Sequence, residues 1–133
     1  MMQFEEQYFS KFEFTKEQVR KNFQNALKDL HIAKTDKIPE VKFNYAYTAL
    51  IKAGIALLSA YGRKVKSAQG HHIKVIEKMS DILQDESIND MGNVMRSKRN
   101  LDLYAGGIEV TEKECREYVE FVEKIVIKIK KVL

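Results

Sequence analysis

The chain has 133 residues, with one proline, six glycines, no tryptophan and one cysteine, enough for one domain of the usual ~100–200 residues and too little for two. Cys115 alone excludes an intramolecular disulfide and any cysteine-based zinc site, and this cysteine usage predicts a reducing cytoplasm. Lys and Arg outnumber Asp and Glu by 23 to 19, a net +4, which solubility alone accounts for unless the charges cluster.

The first ten residues, MMQFEEQYFS, lack the basic and apolar regions of a secretory signal. Residues 1–14 are expected to form an N-terminal extension, followed by a single helical domain over 15–133. Thr15-Lys16-Glu17-Gln18 has the form of a capping box and predicts a helix to about Ala33, with Val19, Phe23, Ala26, Leu27, Leu30 and Ala33 on its buried face. Lys34 to Pro39 breaks it, and Pro39 suits the first turn of the next helix. That second helix is predicted to end at Gly62. It carries Ala46, Ala49, Ala53, Ala56 and Ala60 on one side and Tyr47, Leu50, Gly54, Leu57 and Tyr61 on the other, the pattern of a central helix buried on two faces. Its most apolar run, Tyr45 to Tyr61, contains Thr48, Lys52 and Ser59 and falls short of the ~20 apolar residues that span a bilayer, so no membrane association is expected.

A third helix is predicted over Gln69 to Gln84 with Ile73, Ile76 and Leu83 inward. Ser87-Ile88-Asn89-Asp90 reads as the cap of a fourth, carrying Ile88, Met91, Met95 and Leu101 to about Leu103 and ended by Gly106-Gly107. Thr111-Glu112-Lys113-Glu114 is another capping box. The stripe behind it, Tyr118, Phe121, Val122, Ile125, Ile129 and Val132, is widened by Val119, Val126, Ile127 and Leu133 beyond one packing face, which predicts a second contact with another subunit. No strand alternation competes. The fold class is all-α, an up-and-down four-helix bundle with an additional N-terminal helix.

Three basic groupings stand out. Arg63 to Lys74, RKVKSAQGHHIK, holds Arg63, Lys64, Lys66, His71, His72 and Lys74 with no acid, where a loop enters the third helix. Unpaired N–H groups and the helix dipole favour an anion there, and a solvated loop is the plainer alternative. Lys124, Lys128, Lys130 and Lys131 form the outer face of an amphipathic last helix. The third grouping is Arg96-Ser97-Lys98-Arg99-Asn100-Leu101-Asp102-Leu103-Tyr104. Helical spacing aligns Arg96, Arg99, Asn100, Leu103 and Tyr104 on one face. Arginine forks bind phosphate bidentately, the amide offers donor and acceptor, and a phenol hydrogen-bonds or stacks on a base. The alternative is a structural network in which the arginines pair with nearby acids.

The run FNYAYTALIKAGIALLSAYGRKVKS, then GHH, then MRSKRNLDLY before a glycine-containing turn resembles the HEPN family, small all-helical proteins associated with nucleotides and nucleic acids, over roughly residues 15 to 133. Arg99-Asn100-x3-Tyr104 falls on the family's Arg-x(4–6)-His signature. The resemblance implies a dimer whose two signature helices form a composite groove, and in the ribonucleases of the family a metal-independent cut, with His moving a proton at the 2′-hydroxyl and Arg stabilising charge on the phosphate. Tyr104 occupies the position of that His, and a phenol with an ordinary pKa near ~10 is a poor base at neutral pH. The nucleotidyl modification of a tyrosine two residues beyond the His, described for some members, meets Gly106 here.

The expected function is therefore nucleotide or RNA phosphate binding in a homodimer groove, as part of a toxin–antitoxin pair or beside a minimal nucleotidyltransferase. The alternatives are an active metal-independent endoribonuclease and a helical interaction subunit with no ligand of its own. The expected ligand-binding residues are Arg96, Arg99, Asn100 and Tyr104 with Arg63, Lys64, Lys66, His71 and His72. Arg99 and Tyr104 are the candidates for catalysis, and no cofactor or metal is expected. His71 and His72 are adjacent and point roughly 100° apart on a helix, so they are not an i, i+4 metal pair. His31 stands alone, Cys115 has no thiol partner, and no phosphate-binding glycine loop or metalloprotease motif is present.

Overall fold

A computed structural model describes residues 2–104, 106 and 109–133, apart from the side chains of 102–104. The order is β1 (Phe9–Lys11), α1 (Lys16–Thr35), α2 (Pro39–Ala60), β2 (Arg63–Val65), α3 (His71–Leu83), α4 (Glu86–Tyr104) and α5 (Glu112–Val132). Both predicted capping boxes close. Thr15 Oγ1 accepts from the Gln18 N–H at 3.1 Å while Gln18 Oε1 accepts from the Thr15 N–H at 2.8 Å. The pair Thr111 and Glu114 repeats this at 3.0 and 3.2 Å. Pro39 opens α2 as predicted.

Two boundaries differ from the sequence reading. α2 stops at Ala60, two residues short of the expected end, with Tyr61 as its cap; Gly62 takes the expected left-handed conformation, at φ 72°, just after that cap and turns the chain into β2. α4 begins at Glu86, because the cap is Asp85 and not Ser87. Asp85 Oδ1 accepts from the Ser87 N–H at 3.0 Å and from its hydroxyl at 2.5 Å. Lys128, 2.6 Å from the other oxygen, holds the Asp85 carboxyl below its ordinary range, with the bonds from Ser87 adding to the effect.

The strand-free expectation is also corrected. β1 and β2 form a two-stranded antiparallel sheet in the register Phe9↔Val65, Ser10↔Lys64 and Lys11↔Arg63, too short for an alternating pattern to register in the sequence. Residues before Thr15 thus join the bundle: Phe9 is buried in the core. Glu5 reaches Lys74 and Lys78, each at 2.9 Å, which drops its carboxyl to about 2.

α2 packs against every other helix, because it is apolar on two faces. Phe43, Tyr47, Leu50, Leu57 and Leu58 are fully buried on it, each contributing roughly 1.5–3 kcal/mol by leaving water. Gly54 lets α3 come close: a Cβ there would lie 2.6 Å from Val75 Cγ1 and 2.8 Å from the Met79 thioether. α5 supplies Tyr118, Val122, Ile125 and Ile129 to the same core. Ile73 and Leu27, expected inward, are exposed: Ile73 sits in the first turn of α3, and Leu27 at the margin of the α1 face. Ile127, Val132 and Leu133 are likewise exposed, whereas Val119 and Val126 are buried. The predicted positions Leu103 and Gly107 lie outside the described residues or side chains. No helix among the described residues is long and apolar enough to cross a membrane.

Candidate functional site

The basic loop and the fourth helix, separate in sequence, meet in space. The chain leaves β2, passes through Ser67 and Gln69 and enters α3 at Gly70, whose φ of 82° is a left-handed conformation that an L side chain rarely adopts. That turn sets His71 and His72 on the first turn of α3, and α4 runs past it. Between them lies an open cavity of about 620 Å³ lined by residues 67–73 together with Arg96 and Asn100. No carboxylate is among those residues. The helix start adds its own partial positive charge, about half an elementary charge for a full helix.

Each histidine is held. His71 Nδ1 lies 2.7 Å from the Ala68 carbonyl, which accepts a hydrogen bond from it when Nδ1 carries the proton. His72 Nδ1 lies 2.9 Å from the Tyr47 hydroxyl, so the buried phenol on α2 orients that ring. The imidazole rings of His71 and His72 stand edge to face, 4.4 Å between centroids. Arg99 places its guanidinium carbon 5.6 Å from the centre of the Tyr47 ring, a cation–π arrangement that binds α4 to the same cluster. Arg96 Nε donates to Asn93 Oδ1 at 3.3 Å. Among the described residues neither Arg96 nor Arg99 forms an ion pair, unlike Lys98, whose ammonium lies 3.6 Å from Glu114.

Burial first, and the arginine charges second, set the electrostatics of this cluster. Burial, then electrostatic repulsion from His71, Arg99 and Arg96, lowers His72 to about 4, so its imidazole is neutral at pH 7. Burial raises Tyr47 to about 12, with Arg99 and Arg96 pulling the other way, so the phenol keeps its proton. The Tyr47–His72 bond therefore joins two neutral groups beside two guanidinium ions that form no ion pair among the described residues. An anion entering the cavity would meet α3's first turn, Arg96 and the Asn100 amide, and would supply the missing negative charge.

The predicted set is thus divided. His71, His72, Arg96 and Asn100 line one cavity, with Arg99 joined to it through Tyr47. Arg63, Lys64 and Lys66 are not brought there. Arg63 sits over the Phe4 ring at 4.6 Å, Lys64 over Phe12 at 5.5 Å, and Lys66 Nζ donates to the Glu6 carbonyl at 2.6 Å. Lys74 is occupied by Glu5 and Glu77. Tyr104 ends α4, and its side chain lies outside the described residues. Cys115 is buried, donates to the Pro39 carbonyl at 3.6 Å and has its thiol pKa raised by burial, the signature of an inert thiol. No group of three or more His, Cys, Asp or Glu suited to a metal occurs among the described residues.

The residue that sequence reasoning missed is Tyr47, read only as apolar packing. A tyrosine on a helix buried on two faces needs a partner for its hydroxyl, and that requirement was the available signal. No family model, curated protein or solved structure matches this chain.

Proposed function

We propose that this chain is a HEPN-type helical protein that binds the phosphates of a nucleotide or RNA at the α3–α4 cavity, and that it works as a homodimer in a toxin–antitoxin or nucleotidyltransferase-associated system. One observation carries the reading: His71, His72, Arg96 and Asn100 surround a cavity with no carboxylate among its lining residues. Arg99 stands beside them without an ion pair among the described residues. Had acids neutralised both arginines, the reading as a plain interaction subunit would be preferred. Val94 and Leu101 are exposed on α4, which supports pairing of two such helices.

The test is a labelled oligoribonucleotide titrated against the full chain at low salt. Binding should weaken linearly on logarithmic axes as salt rises. Arg96→Ala should weaken it about tenfold or more, the loss that a charge-assisted hydrogen bond of ~1.5–3 kcal/mol implies. A monomer at micromolar concentration that binds neither RNA nor nucleotide at low salt refutes the proposal.

A second reading, an active metal-independent endoribonuclease, is favoured by one feature. The Tyr47 hydroxyl fixes the His72 ring at 2.9 Å and Arg99 lies over the same tyrosine ring, so an oriented imidazole and a guanidinium share one cluster. Here His72 would take the part that Tyr104 cannot. Cleavage of total RNA in EDTA, lost in both His72→Ala and Arg99→Ala, separates this reading from binding alone.

A further inference from the structure

A second, larger cavity of about 700 Å³ lies between the N-terminal half of α1, the end of α2 and the end of α5. Phe23, Leu27 and Val132 are among its apolar lining, and Lys16, Arg20 and Lys130 its charged lining, with no Asp or Glu side chain. An adjoining cavity shares Leu27 and Lys130 and adds Ile127 together with Lys34 and Glu123, which pair with each other, and it extends the groove along α1 and α5. Leu27 on α1 and Ile127 and Val132 on α5 are 39%, 50% and 55% exposed, so each of the two adjoining cavities has aliphatic side chains open to water. From Lys16 to Leu27 the groove wall runs ~16 Å, about three turns of a docked helix.

We propose that this groove is the docking site of an amphipathic helix from a partner protein, with aliphatic residues on its inner face and Asp or Glu along its flanks. The apolar floor takes side chains spaced i, i+3, i+4 and i+7, the pattern of helix-in-groove recognition. The cationic rim decides the flanks. Arg20 has Glu17 at 3.9 Å, but both side chains are about two-thirds exposed, and such surface pairs are worth little. No ion pair among the described residues engages Lys16 or Lys130. A second copy related by a two-fold axis would set Lys16, Arg20 and Lys130 against their own counterparts, and like charges across an interface cost several kcal/mol. Acidic flanks neutralise the same rim. This inference does not depend on the phosphate-binding reading, which concerns α3 and α4.

The test uses two labelled peptides of about four helical turns, each with leucines at the four inner positions, one flanked by Glu and the other by Lys. Fluorescence anisotropy with the full chain should detect the Glu-flanked peptide and find the Lys-flanked one about tenfold weaker or worse. A variant carrying Arg20→Glu and Lys130→Glu, with an unchanged circular dichroism spectrum, should reverse the preference. Equal binding of both peptides, binding of neither, or an unchanged preference in the variant overturns the proposal. So does sedimentation of an oligomer that Leu27→Asp converts to monomer, which would assign the groove to a second copy of this chain.

Discussion

Removing the titration of His72 should flatten the protein's stability between pH 7.5 and 5. The ring ionises near 6.5 in a solvated chain and near about 4 in the folded one. In that window the unfolded state binds more protons, so stability is complete above 6.5 and falls as pH drops toward 4. Unscreened, the loss between pH 7.5 and 5 is about 2 kcal/mol; the ring is only half-buried, and solvent screening reduces the expectation to about 1 kcal/mol. His72→Asn keeps an acceptor for the Tyr47 hydroxyl, so it removes the charge change without leaving the phenol alone. Urea unfolding of both proteins at matched pH values measures the difference. Glu5 and Asp85, whose carboxyl values are lowered by their lysine partners, lose their contributions at still lower pH and do not distort this window. Equal slopes for the two proteins would refute the burial of the His72 ring against Tyr47, the largest cause of its lowered pKa, together with the smaller effect of Arg99 and Arg96.

Gly54→Ala should destabilise the fold by about 1–3 kcal/mol, the usual cost of overpacking, because its Cβ would lie 2.6 Å from Val75; thermal melting followed by circular dichroism measures it. Thr111→Ala should cost about 1 kcal/mol through loss of the α5 capping box, with Thr111→Ser recovering most of it in urea titrations. Glu5→Gln should cost about 1–2 kcal/mol at pH 7, since it leaves the almost buried Lys78 ammonium without its carboxylate. That cost should vanish as pH falls from 4.5 toward about 2, where Glu5 itself becomes protonated, and the paired unfolding curves would show the convergence.

The helices were legible because their signals are local. Two reciprocal capping boxes, a proline at the first position of α2 and 3.6-residue spacing mark elements that need no tertiary information. Asp85 escaped because Ser87 offers an equally good local cap, and the choice is made by Lys128, which arrives from α5, 43 residues away. The small sheet escaped because its three-residue strands are selected by pairing and by burial of Phe9. At the candidate site, helical spacing on α4 grouped Arg96, Arg99 and Asn100, and the basic loop drew attention to His71 and His72. Their meeting depends on how closely α3 and α4 pack, which Gly92 assists: a Cβ there would come within 2.9 Å of Ile76. Arg63, Lys64 and Lys66 were adjacent in sequence to the site, yet β2 directs them to the N-terminal segment. Charge density along a chain does not encode which neighbours a strand will choose.

The most direct test of phosphate recognition at the α3–α4 cavity is an NMR titration of the isotope-labelled chain with a short oligoribonucleotide, following the backbone amides and the His72 ring. The account predicts shifts concentrated in residues 67–73 and 96–100, with the His72 pKa rising from about 4 as the bound phosphate supplies negative charge beside Arg96 and Arg99. Shifts confined to other surfaces, or a His72 titration that the oligonucleotide leaves unmoved, would contradict it.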